Sequence, residues 1–222
     1  MNKRMLPYTP IVMPRNKKYG NNYWKMRGPK VNRNVILYSD LEYDHWVTVE
    51  TDPTVITYCE QPLEITYVLE GKQRRTIFDM CVLKEDGNEY FIEVKYEKDL
   101  LSSSRKYDQT MRQIEAQKEW CRLKGKLHEV RTEKDIRTGP YAIENRIKVL
   151  TSISNSMASL SLQDISLCIS SKKTSMRDLC NQLGSFNTYD VFLACYRLYY
   201  KGEIKADLES TIWNMDMEVW KD

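Results

Sequence analysis

Two apolar runs joined by a turn signal, IFDMCVLKEDGNEYFIEVK at residues 77–95, constrain this chain more than any other stretch. Both runs are rich in Val, Ile, Phe and Tyr, and Asp86-Gly87-Asn88 separates them, which predicts two antiparallel strands of a hairpin. Burying a charge is costly unless it is paired. Yet Asp79 sits in the first run, and Glu93 and Lys95 sit in the second. Asp79 and Glu93 are equidistant from the turn, so a regular hairpin sets them opposite each other, with Cβ atoms about 4.5–5.5 Å apart. Lys95 lies two residues beyond Glu93 and faces the same side.

Two carboxylates at that separation repel unless a cation bridges them. Mg²⁺ suits such a pair, because it takes oxygen ligands and is commonly held by one or two carboxylates, waters and a substrate phosphate. A metal there would neutralise charge on a scissile phosphate and lower the pKa of an attacking water, and Lys95 would stabilise the transition state electrostatically. The bare pattern is weak: Asp190, Glu203 and Lys205 repeat it. Those residues flank a predicted helix, which separates the two carboxylates by about four turns. Glu42 offers a third carboxylate. It also completes a capping box with Ser39, in which its side chain serves the start of a helix.

The rest of the chain builds a mixed α/β frame around this hairpin. A helix is expected from Ser39 to Asp52-Pro53. VITYCE (55–60), LEITYVLE (63–70), RRTIFDMCVLK (74–84) and EYFIEVK (89–95) are expected as a four-stranded meander. A helix over 102–125, a short strand at 126–133 and a helix over 141–150 follow. The Ser-rich stretch 151–160 marks the domain boundary. Beyond it, SMRDLCNQLG and TYDVFLACYRLYYKGE read as two helices followed by a ribbon, a winged-helix pattern. The expected organisation is a basic arm (1–36), a core domain (37–150), a linker (151–160) and a C-terminal domain (161–222).

Net charge is only +3, but residues 1–39 carry nine Lys or Arg and no acid, interleaved with Tyr and Trp. That composition suits a polyanion with stackable bases. Arg15, Lys17, Lys18, Lys25, Arg27 and Lys30 are the candidate DNA contacts. Six scattered cysteines with no CxxC pair, and only two histidines, argue against a zinc site and for reduced thiols. His45 and His128 are read as surface or packing residues. No apolar run approaches the roughly 20 residues of a membrane span, and the N-terminus lacks the apolar h-region of a secretory signal.

The stretches SDLEYDHWVTVETDPTVITYCEQP, RRTIFDMCVLKEDGNEYFIEVK and RTEKDIRTGPYAIENRIKVL, in that order, resemble the TnsA family, the endonuclease subunit of heteromeric cut-and-paste transposases. The resemblance spans roughly residues 37–150. It implies a restriction-endonuclease-like fold with a PD-(D/E)xK site and a winged-helix-like C-terminal domain. Glu42, Asp79 and Glu93 would be metal ligands, Lys95 the catalytic lysine, and Gln61 and Glu115 supporting residues. Phe78 stands where the family often has proline. Further implied are Mg²⁺, with Mn²⁺ as a substitute, and hydrolysis of the non-transferred strand at the 5′ ends of a transposon. The implied partners are double-stranded DNA at the transposon ends, an integrase-type transposase subunit, and an AAA+ regulator reached through the C-terminal domain. A bacterial cytoplasmic location, on the nucleoid when DNA is bound, goes with them. Two other readings compete: a stand-alone nuclease of the same fold, and a DNA-binding adaptor without catalysis.

Overall fold

The computed structural model describes residues 5–14, 22–154 and 162–222. The chain divides into two compact units: residues up to Val49 with 54–136, and residues 50–53 with 137–222.

The first unit begins where an extended basic arm was expected. Residues 24–37 instead form an antiparallel hairpin, β1 (Trp24–Gly28) and β2 (Arg33–Leu37). Trp24 and Met26 alternate with the exposed Lys25 and Arg27, so one face can pack while the other stays solvated. Trp24 stacks on Tyr43 at 4.4 Å and donates its indole N–H to Asp40 at 2.9 Å. Val35 and Leu37 of β2 are fully buried.

Helix α1 (Asp40–Thr51) follows, then β3 (Val55–Glu60), β4 (Glu64–Leu69), β5 (Lys72–Ile77), β6 (Met80–Lys84) and β7 (Glu89–Val94). Helix α2 (Tyr107–Leu123), strand β8 (Leu127–Arg131) and the short α3 (Glu133–Ile136) complete the unit. The main sheet has the order β3-β6-β7-β8, with β8 parallel to β7. A parallel neighbour needs a crossover connection, and α2 supplies it.

The expected meander is therefore not what forms. The run 74–84 breaks at Phe78-Asp79, and β5 pairs with β4 in a separate two-stranded ribbon while β6 joins β3 and β7. Local hydrogen bonding explains the break. Gln61 adopts a left-handed φ of 38° while its N–H donates to the Asp79 carbonyl at 2.9 Å, so β3 ends where β6 begins. The Lys72–Arg75 segment is exposed throughout, so the ribbon presents a polar edge to solvent. Its two-residue tip, Glu70-Gly71, has positive φ at both positions, the geometry of a type I′ turn.

Phe78, Cys81, Phe91 and Cys121 form a core between the sheet and α2, with Trp120 packed against it. Phe78 and Phe91 meet edge to face at 4.9 Å. Trp46 of α1 donates to the Tyr58 hydroxyl of β3 at 2.6 Å. Cys59, Cys81, Cys121, Cys168, Cys180 and Cys195 are unpaired.

The second unit contains α4 (Ala142–Ser154), α5 (Leu162–Leu167), β9 (Thr174–Ser175), α6 (Met176–Gln182), α7 (Thr188–Tyr200), β10 (Lys205–Ala206) and β11 (Glu218–Trp220). Its small antiparallel sheet has the order β10-β11-β9. Ser175 caps α6 and Asn187 caps α7 through side-chain oxygens. Val149, Ile165, Met176, Leu179, Leu198 and Met217 are core residues here. The break between units falls at 136/137, upstream of the Ser-rich stretch, and α4 belongs with the second unit. Asn145 shows why. Its fully buried amide donates to the Leu208 and Thr211 carbonyls and accepts from the Trp213 N–H, each at 2.8 Å. Among the described residues, no helix is long and apolar enough to cross a membrane.

Candidate active site

β6 and β7 pair in the register Met80↔Ile92, and the Asp79 N–H donates to the Ile92 carbonyl at 3.1 Å. The ladder therefore carries Asp79, just ahead of β6, to a position opposite Glu93. An Asp79 carboxylate oxygen accepts from the Val94 N–H at 2.8 Å, which pins the aspartate across the strand pair. Lys95 follows β7, is held to Arg131 of β8 through its backbone N–H at 3.0 Å, and directs its ammonium to Glu93 Oε1. Asp79, Glu93 and Lys95 share an open pocket of about 340 Å³ whose wall also includes Gln61, Arg75 and Gln113. Lys95 lines a second pocket of about 450 Å³ as well, together with Glu42, Lys98 and Lys106. By contrast, Asp190 sits in the first turn of α7 and Glu203 lies beyond its last residue, Tyr200, so most of a 13-residue helix separates them.

Electrostatics follow from this burial. Glu93 is 1% exposed, and desolvation, reinforced by the neighbouring Asp79 charge, raises its pKa to about 7 against the opposing pull of Lys95 and Gln117. Burial pulls Lys95 down more than any other single influence, but Glu93, Asp79 and Glu42 together outweigh it and hold the ammonium above its ordinary value. Lys95 is therefore a cation at neutral pH. It can stabilise negative charge, but it is poorly suited to take a proton.

Two residues that sequence reasoning missed hold Glu93 in place. Gln113 donates to Glu93 Oε1 at 2.6 Å, and Gln117 donates to Oε2 at 2.7 Å. Both project from α2, where residues four apart share a face. Gln109 continues the same stripe and lines the pocket. Glu115 lies between the two and is exposed, so the structure does not bring it to the pocket. At 100° per residue it sits nearly opposite the glutamine face. The glutamine spacing i, i+4, i+8 was the available signal in the sequence.

Glu42 is engaged in the helix start. Its carboxylate accepts from the Tyr38 N–H at 3.0 Å and the Ser39 hydroxyl at 3.2 Å, and Ser39 Oγ accepts in return from the Glu42 N–H at 3.2 Å. Gln61, 1% exposed, donates from Nε2 toward Glu42 at 3.4 Å and toward the Asp79 carbonyl at 3.5 Å. It thus stands between the cap and the hairpin. Among the described residues, no group of three or more His, Cys, Asp or Glu is gathered closely enough to hold a metal ion. Glu42 is held at the helix start by the cap and lines the second pocket beside Lys95, where its charge helps to keep the ammonium protonated. The pair Asp79 and Glu93 alone still fits Mg²⁺, which needs only one or two carboxylates when water and phosphate complete its shell.

Of the expected DNA contacts, Arg15, Lys17 and Lys18 lie outside the described residues. Lys25 and Arg27 are exposed on β1, with Arg27 paired to Asn32. Lys30 donates to the Val55 carbonyl at 2.8 Å and so has a structural task. His45 is 4% exposed, and neither ring nitrogen has a hydrogen-bond partner among the described residues. It is a core residue and not a surface one.

Compared with known proteins, residues 52–133 match the family described as TnsA-like endonuclease N terminal. The match covers Asp79, Glu93, Lys95 and both glutamines, and Glu42 lies ahead of it. No curated protein matches the sequence.

Proposed function

We propose that this chain, which belongs through residues 52–133 to the TnsA-like endonucleases, is the metal-dependent subunit that hydrolyses the non-transferred strand at the 5′ ends of a transposon. One observation carries the reading: Asp79, Glu93 and Lys95 share one pocket, two carboxylates and a cation on a single strand pair. Asp79 and Glu93 would hold Mg²⁺ or Mn²⁺. When bound, the ion supplies Lewis-acid charge to a phosphate oxygen and lowers the pKa of a water.

The chain's own residues do the rest. Lys95, held cationic by its carboxylate neighbours, offsets the negative charge that grows on the phosphate as water attacks phosphorus and the bond to the leaving strand breaks. Gln113 and Gln117 fix the orientation of Glu93. The ribbon β4–β5 supplies cations beside the pocket. Arg75 lines it, and Lys72 and Arg74 are exposed with no ion-pair partner among the described residues. Together with Lys25 and Arg27 they would grip the phosphate backbone.

The second unit has the strand order β10-β11-β9 and, from α5 onward, a helix–strand–helix–helix–strand–strand course, which supports the winged-helix reading. Val191, Ala194, Cys195 and Leu198 of α7 pack into the core of this same unit. An AAA+ regulator docking on this unit, and an integrase-type transposase subunit cutting the other strand, complete the proposed assembly.

The test is a titration of Mn²⁺ into the protein with a short duplex present. Asp79→Asn should lose the ion and Glu203→Gln should keep it. Equal binding by wild type and Asp79→Asn overturns the assignment and leaves the DNA-binding adaptor as the better reading.

A further inference from the structure

We infer that Gln117 and His128 form a relay that aims a hydrogen-bond donor at Glu93 and so positions that carboxylate in the pocket. Gln117 is completely buried on α2. Its Nε2 lies 2.7 Å from Glu93 Oε2 and 3.2 Å from Thr76 Oγ1, and its Oε1 lies 3.3 Å from His128 Nε2. Every polar atom of the amide is therefore engaged.

The chemistry fixes who donates. In the ionised form that would hold a cation, the Glu93 carboxylate only accepts, so the amide must turn its NH₂ toward it. Its carbonyl then faces His128, and the imidazole must carry its proton on Nε2 to complete the bond. The His128 ring is itself anchored. β8 pairs in parallel with β7 in the register Phe91↔His128, and the ring meets Phe78 at 6.1 Å. Four elements, β5, β7, α2 and β8, thus converge through one amide on one carboxylate. Without His128 the amide could rotate and present its oxygen to Glu93, which would repel the carboxylate.

The other carboxylate oxygen has different company. Gln113 and Lys95 both reach Oε1, and both line the open pocket. Oε2 is held from inside the protein by Gln117 alone among these. Gln117 is a positioning residue that acts on Glu93, and His128 is a positioning residue that acts through Gln117. Partners behind a metal ligand are commonly worth ten- to a hundredfold in metal affinity. The inference rests on the reading of Glu93 as a metal ligand, but the relay has a signature that needs no metal.

The experiment therefore has two arms. ¹⁵N NMR of the imidazole in the metal-free protein at about pH 8.5, where Glu93 is ionised, should find His128 as the Nε2–H tautomer with that N–H hydrogen-bonded, and Gln117→Met should remove the hydrogen-bond shift of that N–H. In the second arm, Mn²⁺ is titrated with a short duplex present. His128→Phe and Gln117→Met should each weaken binding about tenfold or more, while both keep a cooperative melting transition. His128→Gln, whose amide N–H replaces the imidazole donor, should return the affinity to within about twofold of wild type, a rescue that a merely structural role does not give. A His128 carrying its proton on Nδ1 overturns the relay. So does unchanged Mn²⁺ affinity in both folded variants. If wild type binds no Mn²⁺, the nuclease reading fails, and the tautomer arm alone decides the relay.

Discussion

Replacing Glu93 with glutamine should change how stability depends on pH, with a sign opposite to that of an ordinary surface carboxylate. Burial raises the Glu93 pKa from 4.5 to about 7. Between those values the metal-free native protein binds a proton that the unfolded chain has already released. Stability from this group is thus present at low pH and lost as pH rises through about 7. Linkage with these two pKa values gives a loss of about 2 kcal/mol between about pH 5.5 and pH 8. Glu93→Gln is neutral at every pH and lacks this loss. Comparing the two proteins is essential because histidines act the other way. His45 is pulled down to about 3 by burial, reinforced by the Arg131 charge, so it favours the folded state as pH rises. Subtracting the variant from wild type removes that contribution. The assay is urea unfolding in EDTA at several pH values. The stability gap should move by about 2 kcal/mol in favour of the variant on going from about pH 5.5 to 8. A gap that stays constant, or moves in favour of wild type, refutes the argument that Glu93 is desolvated beside a second carboxylate.

Two further outcomes follow from other parts of the molecule. Asn145→Ala removes three buried hydrogen bonds and leaves two carbonyls and an N–H without their partner. It should cost about 3 kcal/mol, read as a lower thermal midpoint with Mn²⁺ binding preserved in the folded protein. Lys72→Ala with Arg74→Ala removes two exposed cations of the ribbon. If both touch phosphate, the slope of log affinity for duplex DNA against log salt should fall by about 2, and an unchanged slope takes the ribbon out of the interface.

The hairpin was legible because strand pairing is local: a turn at Asp86-Gly87 and two apolar runs set the register that brings Asp79 opposite Glu93. The start of α1 was legible for a similar reason, since Ser39 and Glu42 satisfy each other within one turn. What decided the remainder is not local. A strand's period of two is the same for one long strand as for two shorter ones. The break at Phe78-Asp79 depends on Gln61 and Val94, which are remote in sequence. Residues 24–37 look like a solvated arm because their alternation is short and basic. Their burial comes from Tyr43 and Asp40 of α1. Gln113 and Gln117 resemble ordinary polar helix residues until the helix is laid against Glu93. α4 carries an apolar face that composition alone cannot assign to either unit. The backbone around residues 208–213 claims it through Asn145.

The position of α4 has a consequence for proteolysis. The Ser-rich segment joins α4 to α5, and Val149 and Ile165, one on each side of it, belong to the same core with α7. A protease that cut within residues 155–161 would nick the chain without releasing a catalytic fragment. The two pieces would stay joined by the packing of α4 and α5 on α7. They would migrate together on gel filtration and separate only in denaturant.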